Sequence, residues 1–453
     1  MRPMRVAIVG AGPAGIYAAD LLTKAERDFE VSIDMFERLP VPFGLVRYGV
    51  APDHPRIKLI INALIKVLDR GDVRVFGNVE YGRDIDLAEL QSMYDAVIFS
   101  TGCVRDADLD IPGIDLPGSH GGAEFVNWYD SHPDYSQEWS LDAGQVAVIG
   151  NGNVALDVSR MLSKHADDLL PTEIPDHVYK TLKNSSVTDV HVFGRRGPAQ
   201  VKFTPLELRE LGKVPDVDVI VYPEDFDFDD ASMRQIHSNN QTKQVTKTLT
   251  DWTLREPSGA SRRLHLHFLH APVEVLGEDK VEGLRTERME LDGNAGVKGT
   301  GEFHEWPVQA VYRAVGYFGS PLDALPFDSK RGVIPNDGGV VLSSTEAGAE
   351  PVPGVYATGW IKRGPVGLIG HTKGDALETI THVIEDRPGL PEPENPDPAA
   401  IVDFLESRGI EATDWSGYHA MDDQERRNGE ARGRERIKFA TREEMLKAAH
   451  APS

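Results

Sequence analysis

The same strand–turn–helix pattern occurs twice in this chain of 453 residues. Residues 6–22 read VAIVGAGPAGIYAADLL, and residues 146–162 read VAVIGNGNVALDVSRML. In each segment an apolar run ends at a glycine, a second glycine follows two residues later, and a helical pattern begins. A strand that enters a glycine turn and then a helix is typical of parallel α/β units. The repeat therefore predicts an α/β protein with two Rossmann-like dinucleotide-binding domains.

Composition and charge exclude several classes of protein. The chain has 72 acidic and 48 basic side chains, and its formal net charge of −24 argues against a nucleic-acid-binding protein. A hydrophobic fraction of 40% is typical of a folded globular protein, and no apolar run is long enough to predict a membrane span. Because the N-terminus leads directly into the strand at Val6, we expect no signal peptide and a cytoplasmic location.

Cys103 is the single cysteine of the chain. An intramolecular disulfide, a CxxC redox pair and a four-cysteine iron–sulfur or zinc site are therefore excluded. A disulfide reductase built on two dinucleotide sites is excluded for the same reason. We also expect no metal site.

The first glycine turn predicts a dinucleotide site. Gly10 permits the tight turn, Gly12 lets the backbone approach a pyrophosphate, and Gly15 lets the helix pack on the strand. Glu37 follows Gly15 by 22 residues, at the end of the second predicted strand, where a carboxylate accepts hydrogen bonds from a ribose diol. Since that carboxylate repels a 2′-phosphate, the site should take FAD or NAD. The alternative is a structural turn with an exposed glutamate.

The second turn predicts a site of different charge. Gly150 and Gly152 occupy the first two positions of the motif, and Ala155 is small enough for the third. The acidic residue is absent, and the strand that ends near residue 193 leads instead into Arg195 and Arg196. Two guanidinium groups suit a 2′-phosphate, so this site should prefer NADPH. The alternative is an ordinary basic surface turn. Two sites of opposite preference indicate a flavoprotein reductase, in which flavin accepts a hydride from NADPH.

Four blocks of sequence then point to a family. They are residues 41–55 (VPFGLVRYGVAPDHP), 150–157 (GNGNVALD), 194–198 (GRRGP) and 358–370 (TGWIKRGPVGLIG). On these blocks the chain resembles the adrenodoxin reductase-like NADPH–ferredoxin reductases, including their bacterial members, from residue 6 to about residue 384. The resemblance implies a discontinuous FAD-binding domain, residues 1–103 and 325–453, with an NADP-binding domain, residues 104–324, inserted. It also implies an FAD-dependent NADPH–ferredoxin oxidoreductase, which passes single electrons to a ferredoxin that serves acceptors such as cytochrome P450.

The resemblance also implies the site residues. The flavin site falls on Ala14, Glu37, Leu45, Val79, Trp360, Gly367, Leu368 and Ile369. The NADP site falls on Asn151, Gly152, Asn153, Val154, Arg195, Arg196, Glu207 and Gly367, the last being shared where nicotinamide stacks on flavin. His54 and Glu207 are placed beside the reacting rings, where they orient the carboxamide or carry a proton. Three alternatives stay open: His54 caps the helix at Pro55, Glu207 is a helix-surface acid, and Trp360 is a core aromatic.

The implied partner is a ferredoxin, an acidic iron–sulfur protein. A net charge of −24 slows the encounter with such a partner unless basic residues are concentrated at the docking face. The candidates for that face are Lys202, Arg209, Lys213, Lys362, Arg363 and Lys373. Two other functions remain open, an FAD/NADPH-dependent monooxygenase or oxidase, and a dinucleotide-binding redox sensor without rapid turnover.

Periodicity predicts the remaining elements coarsely. Residues 32–36 and 95–100 read as strands, and residues 57–68 and 372–385 read as helices. The five prolines between residues 387 and 398 predict a connector. Residues 422–436 are highly charged with few apolar anchors, so we expect a solvated surface segment.

Overall fold

The protein is described by a computed structural model that covers residues 2–367 and 370–451. The chain forms two compact units. Unit 1 contains Met1–Arg105, Asp130–Asp134 and Tyr317–Ser453, and unit 2 contains Asp106–Tyr129 and Tyr135–Gly316. The chain thus crosses between units after residues 105 and 316, where the sequence predicted crossings after residues 103 and 324. The return of residues 130–134 to unit 1 was not predicted.

The strands of the described residues fall into parallel and antiparallel groups. They are β1 (Met4–Val9), β2 (Val31–Glu37), β3 (Val73–Gly77), β4 (Ala96–Phe99), β5 (Arg105–Asp106), β6 (Ser119–Gly121), β7 (Gln145–Ile149), β8 (Asp189–Gly194), β9 (Val217–Val221), β10 (Arg262–Phe268), β11 (His270–Leu276), β12 (Gly283–Leu291), β13 (Val297–Trp306), β14 (Ala310–Arg313), β15 (Tyr317–Phe318), β16 (Asn336–Asp337), β17 (Val340–Leu342) and β18 (Pro351–Ala357).

The α-helices range from single turns to more than four turns. They are α1 (Pro13–Lys24), α2 (Leu45–Tyr48), α3 (Pro55–Lys58), α4 (Ile60–Leu68), α5 (Leu87–Met93), α6 (Gly122–Tyr129), α7 (Asn153–Ser163), α8 (Asp176–Lys183), α9 (Pro205–Leu211), α10 (Asp230–Ser238), α11 (Asn240–Trp252), α12 (Trp360–Arg363), α13 (His371–Asp386), α14 (Ala400–Ser407), α15 (Trp415–Glu430) and α16 (Arg442–Ala449).

Unit 1 is built on a seven-stranded sheet in the order β16-β17-β18-β4-β1-β2-β3. The strands from β18 to β3 run parallel, and β16 and β17 add an antiparallel edge. Every residue of β1 is buried, as expected for a central parallel strand with helices on both faces. Because α1 packs beside α13 and α4, the strand–turn–helix segment lies at the centre of the unit.

Unit 2 contains a six-stranded sheet in the order β6-β14-β7-β8-β10-β9, in which all pairs are parallel. A separate antiparallel sheet is formed by β11, β12 and β13. The two parallel sheets, each opened by a glycine-turn segment, confirm the predicted α/β class with two Rossmann-like units.

The predictions for unit 1 are confirmed at most residues. The helix predicted at 57–68 forms as α3 and α4, which are separated only at Leu59; this residue keeps helical dihedral angles and donates its N–H to the carbonyl oxygen of Pro55. Most of residues 422–436 are exposed, as the sequence predicted, but Asp422, Glu425 and Arg436 are buried. The charges of these three residues are neutralised by ion pairs inside the unit, so the scarcity of apolar residues did not indicate exposure at these positions. The predicted helix at 372–385 is confirmed as α13.

Candidate functional site

In unit 1 the first glycine turn lies where parallel strands end. Gly10 follows β1 with φ +104°, and a Cβ there would lie 2.7 Å from the carbonyl oxygen of Ser100, which follows β4. A Cβ on Gly15 would lie 2.2 Å from the carbonyl oxygen of Gly10. Only glycine fits this turn, as the sequence predicted. The carboxyl ends of parallel strands are where α/β sheets bind ligands.

The turn presents the N-terminus of a three-turn helix to open space. Gly12 is the N-cap of α1, and no side chain of the described residues makes a capping hydrogen bond there. A Cβ on Gly12 would find no heavy atom of the described chain within 4 Å. The first-turn N–H groups and the positive end of the helix dipole therefore face open space, and this is the arrangement that binds pyrophosphates at such turns.

Glu37, the last residue of β2, closes one side of this turn. Its Oε2 accepts the N–H of Ala11 at 3.0 Å, and its Oε1 accepts the N–H of Leu39 at 3.1 Å. The side chain is buried, so the alternative of an exposed glutamate is wrong. Burial raises the pKa of Glu37, while the two N–H donors oppose that shift. Each carboxylate oxygen keeps a second lone pair with which to accept a ribose hydroxyl.

The other expected flavin residues that the structure describes all belong to unit 1. Val79 is buried after β3, Leu45 begins α2, and the half-buried Trp360 begins α12 with its ring centroid 6.0 Å from that of Tyr317. Ala14 lies in the first turn of α1, where a Cβ on Gly359 would come within 2.6 Å of its methyl group. Gly367 is exposed with φ +87°. Leu368 and Ile369 lie outside the described residues.

Asp375 organises the Gly359 turn, and the sequence analysis missed it. One carboxylate oxygen accepts the N–H of Gly359 at 2.5 Å, and the carboxylate pairs with Lys362 at 3.2 Å and Arg363 at 3.3 Å. Asp375 is the fifth residue of α13, so its carboxylate links the start of that helix to the turn before α12. Its position four residues after His371 offered no recognisable motif.

In unit 2 the second glycine turn repeats this geometry. Gly150 follows β7 with φ +145°, and Gly152 is the N-cap of α7. Among the residues that the structure describes, no side chain caps α7, and no heavy atom lies within 4 Å of a Cβ placed on Gly152. Ala155 is fully buried, as a position of close helix–strand contact requires. The turn therefore offers a second space for a pyrophosphate.

The two asparagines of this turn differ in their contacts. Asn153 Oδ1 accepts the N–H of Thr204 at 2.9 Å, which ties the start of α7 to the segment before α9. The side-chain Nδ2 of Asn151 is buried and has no hydrogen-bond partner within residues 2–367 and 370–451. Leaving a buried donor without a partner costs free energy. The Asn151 amide is therefore suited to donate a hydrogen bond to a ligand bound at the turn. Val154 occupies the next position of α7.

Arg195 and Arg196 follow β8 with exposed side chains, one strand away from the glycine turn that ends β7. An exposed guanidinium pair at the carboxyl edge of the sheet suits a phosphate dianion.

Glu207, in the first turn of α9, is buried, so the alternative of a helix-surface acid is wrong. His54 is also buried, and although it is the N-cap residue of α3, its side chain makes no capping hydrogen bond in the described structure.

Three histidines of unit 2 form a cluster that the sequence analysis did not recognise. The nearest ring nitrogens of His191, His265 and His267 lie within 4.8 Å of one another, which is a spacing compatible with a metal. However, His191 Nδ1 and His267 Nε2 are 3.0 Å apart, with ring centroids 5.3 Å apart and planes within 16°. The two nitrogens are therefore within hydrogen-bonding distance of each other, and this contact satisfies both buried rings without an ion.

The basic residues expected at a docking face divide into two groups. Lys202, Arg209 and Lys213 of unit 2 are exposed, as is Lys373 of unit 1, while Arg363 is partly buried. Lys362 is buried and pairs with Asp375 and Glu378, so it presents no charge to a partner and that prediction is wrong. No helix within the described ranges combines the length and apolarity that a bilayer span requires.

Comparisons with known proteins agree with this geometry. The family model described as pyridine nucleotide-disulphide oxidoreductase matches residues 4–195. The chain is 41% identical to NADPH-ferredoxin reductase FprA of Mycobacterium tuberculosis, and the match covers 99% of each chain. It is 37% identical to the mitochondrial NADPH:adrenodoxin oxidoreductase of Arabidopsis thaliana, over 99% of this chain and 96% of that one. The solved structure of M. tuberculosis FprA in complex with NADPH matches with a TM-score of 0.92 at 40% identity, covering 99% of this chain and 100% of the other.

Proposed function

The chain belongs to the NADPH–ferredoxin reductase family, and from this premise we propose that it binds FAD and NADPH and transfers electrons from NADPH to a ferredoxin. Unit 1 is proposed to hold FAD and unit 2 to hold NADPH. The proposal keeps the cytoplasmic location expected from the sequence. The terminal acceptor served by the ferredoxin, such as cytochrome P450, is part of the same proposal.

The observation that carries the proposal is the opposite charge of two otherwise similar glycine turns. In unit 1 the carboxylate of Glu37 borders the turn, whereas in unit 2 the guanidinium groups of Arg195 and Arg196 follow the neighbouring strand. A carboxylate accepts hydrogen bonds from an unmodified ribose and repels a 2′-phosphate, while two guanidinium groups attract that phosphate. This difference supports FAD at the first turn and NADPH at the second.

The residues of unit 1 act by binding and orienting. The N–H groups at the start of α1 receive the pyrophosphate, and Glu37 receives the ribose hydroxyls. FAD, when bound, supplies the chemistry that accepts a hydride and releases electrons one at a time. The N-terminus of α13, which no side chain of the described residues caps, has a positive dipole end that would favour negative charge on the bound ring.

The residues of unit 2 select and orient the nicotinamide dinucleotide. Asn151 Nδ2 is proposed to donate to the pyrophosphate region, and the N-terminus of α7 adds its N–H groups. Arg195 and Arg196 bind the 2′-phosphate, which gives NADPH its advantage over NADH. Gly152, Asn153 and Val154 supply the backbone that follows the phosphates.

His54 and Glu207 are proposed as the residues that touch the reacting nicotinamide. Both side chains are buried, which suits groups that act away from bulk water. Each can orient the carboxamide by hydrogen bonding, or hold a proton at an imidazole nitrogen or a carboxylate oxygen. Substitution of either is expected to lower the rate of flavin reduction more than the affinity for FAD.

The partner is proposed to dock through the exposed basic residues Lys202, Arg209, Lys213 and Lys373. Arg363 is left out because both of its terminal guanidinium nitrogens are buried. An acidic ferredoxin would be attracted to the exposed basic residues even though the chain as a whole is acidic. The interaction should therefore weaken with ionic strength.

The function is tested by mixing the purified protein with NADPH and a ferredoxin under anaerobic conditions. Reduction of the ferredoxin at the expense of NADPH, faster than with NADH, is expected. A monooxygenase or oxidase would instead consume oxygen in proportion to NADPH and leave the ferredoxin oxidised. A redox sensor would bind nucleotide without reducing either acceptor at a significant rate.

A further inference from the structure

Leu45 and His54 lie in the segment from residue 41 to residue 58, which contains little regular secondary structure. Its helices α2 and α3 have four residues each, which is too short to be stable through their own hydrogen bonds. Before α2 the chain also passes through positive φ at Phe43 (+86°) and Gly44 (+48°), which for phenylalanine is an unfavourable conformation. The position of this segment must therefore be fixed by contacts with the rest of unit 1.

A buried ion pair holds α2. The guanidinium of Arg47 donates to Oε1 of Glu425, on α15, at 2.5 Å, and the two side chains are 3% and 0% exposed. Glu425 Oε1 also accepts the N–H of Phe439 at 3.0 Å, and its Oε2 lies 3.2 Å from Arg436. The carboxylate is thus held by two other partners besides Arg47.

A buried lysine attaches the same helix a second time. Lys438 Nζ donates to the carbonyl oxygen of Arg47 at 2.7 Å and lies 3.3 Å from Oδ1 of Asp130. Lys58, the last residue of α3, places its Nζ 3.6 Å from the same carboxylate oxygen. Both short helices are therefore connected to one cluster of buried charges, which includes residues of the C-terminal segment and of the 130–134 segment.

We propose that Glu425 and Lys438 are positioning residues for the flavin-facing segment 41–58. Charge pairs in a buried site have preferred directions and distances, whereas apolar contacts tolerate sliding, so such pairs can fix one arrangement without adding much stability. In this arrangement Leu45 and His54 keep the positions from which they contact the bound FAD and nicotinamide. The proposal rests on the proposed function, since it assumes that FAD occupies unit 1.

The test compares purified holoenzymes that carry Glu425→Gln or Lys438→Met with a matched control, Glu430→Gln. Glu430 lies on the same helix as Glu425, but it is exposed, so the control removes one carboxylate charge without touching the buried cluster. The FAD dissociation constant is measured from the fluorescence of FAD released on dilution. The visible circular dichroism of the bound flavin reports its orientation, and thermal unfolding reports stability.

We expect Glu425→Gln and Lys438→Met to raise the FAD dissociation constant about tenfold or more and to change the circular dichroism of the flavin that remains bound. Glu430→Gln should match the wild type in both measurements. Variants that melt at a lower temperature but keep the wild-type FAD affinity and dichroism would overturn the proposal, because that is the result of a purely stabilising role.

A double variant, Arg47→Met with Glu425→Leu, covers the case in which a single substitution prevents folding. It removes both charges of the pair, and such apolar replacements are generally tolerated. We expect it to fold and to raise the FAD dissociation constant about tenfold or more above that of the wild type; wild-type retention of FAD would overturn the proposal. If the wild type and Glu430→Gln themselves hold no FAD, the proposed function fails instead, so the two failures are distinguishable.

Discussion

The N–H of Ala11 donates to the carboxylate of Glu37 at 3.0 Å, and this bond joins the glycine turn after β1 to the end of β2. The same carboxylate accepts the N–H of Leu39, so Glu37 fixes the turn before any ligand arrives. A buried carboxylate in this position serves both the fold and the proposed ribose contact. Replacing Glu37 therefore disturbs the backbone of the glycine turn as well as the ribose contact, whereas replacing an exposed ribose-binding residue would affect only the ribose contact.

Replacement of Glu37 by glutamine should weaken FAD binding about 10- to 100-fold, the effect of losing charge-assisted hydrogen bonds worth about 1.5–3 kcal/mol. The glutamine amide can accept from only one of Ala11 and Leu39, because its nitrogen would face the other N–H donor. The measurement is FAD retention after purification, followed by titration with FAD. Glu26→Gln, an exposed glutamate of the same unit, is the control and should bind FAD as the wild type does.

Replacement of Arg195 and Arg196 by alanine should lower kcat/KM for NADPH about 10- to 100-fold and leave NADH nearly unaffected. The reason is that only NADPH carries the 2′-phosphate that the two guanidinium groups are proposed to bind. The measurement is the rate of flavin reduction over a range of each nucleotide. Arg234→Ala, which removes an exposed arginine from α10, is the control. An equal loss with both nucleotides would contradict the 2′-phosphate assignment.

Reversal of charge at Arg209 should raise the apparent KM for an acidic ferredoxin several-fold at low salt, about the effect of losing 1 kcal/mol of attraction. Arg363→Glu should mainly lower stability, because both terminal nitrogens of Arg363 are buried and its pairing with Asp375 becomes repulsive. Increasing the salt concentration should reduce the difference in KM between the Arg209 variant and the wild type. Lys298→Glu reverses an exposed charge on β13 and should leave KM unchanged. If the Arg209 and Lys298 variants behave alike, the docking assignment is wrong.

The histidine cluster of unit 2 should make stability fall in mild acid. Burial lowers the pKa of His191 to about 4 and that of His267 to about 2, compared with 6.5 in an unfolded chain. Because the folded-state values are depressed, the stabilisation is complete above pH 6.5 and is lost as the pH falls towards 4. For His191 alone the loss below pH 4 is about 3 kcal/mol.

The measurement for this prediction is the melting temperature between pH 7 and pH 4. In the double variant His191→Phe with His267→Phe, both ends of the shared hydrogen bond are removed together, so neither nitrogen is left buried without its partner. Its melting temperature should depend less on pH than that of the wild type. An identical pH dependence would show that carboxylates alone cause the acid sensitivity.

The sequence predicts those parts of the fold that depend on local rules. The turns at Gly10 and Gly150 are recognisable because only a residue without a side chain adopts their backbone conformation. Arg195 and Arg196 were assigned to a strand end because the segment DVHVFG, with Val190, Val192 and Phe193, reads as a strand that stops before them. The helix α13 was predicted to within one residue at each end from its periodicity.

The sequence does not predict contacts between distant segments. Glu425 was assigned to a solvated segment because its charged neighbours resemble a surface helix, and its buried partner Arg47 lies 378 positions earlier. Asp375 was missed and Lys362 was misassigned for the same reason, since their contacts join the Gly359 turn and α12 to α13. A charged side chain is buried only where another segment of the folded chain provides an oppositely charged or hydrogen-bonding partner. The sequence around the charged residue does not show which segment that is.

The central claim is tested most directly by the cofactor content of the purified protein. The protein should be yellow, should release close to one FAD per chain on denaturation, and should lose its visible flavin absorbance when NADPH is added anaerobically, with the absorbance returning on addition of oxidised ferredoxin. A colourless protein that cannot be reconstituted with FAD, or bound flavin that NADPH does not bleach, would contradict the account.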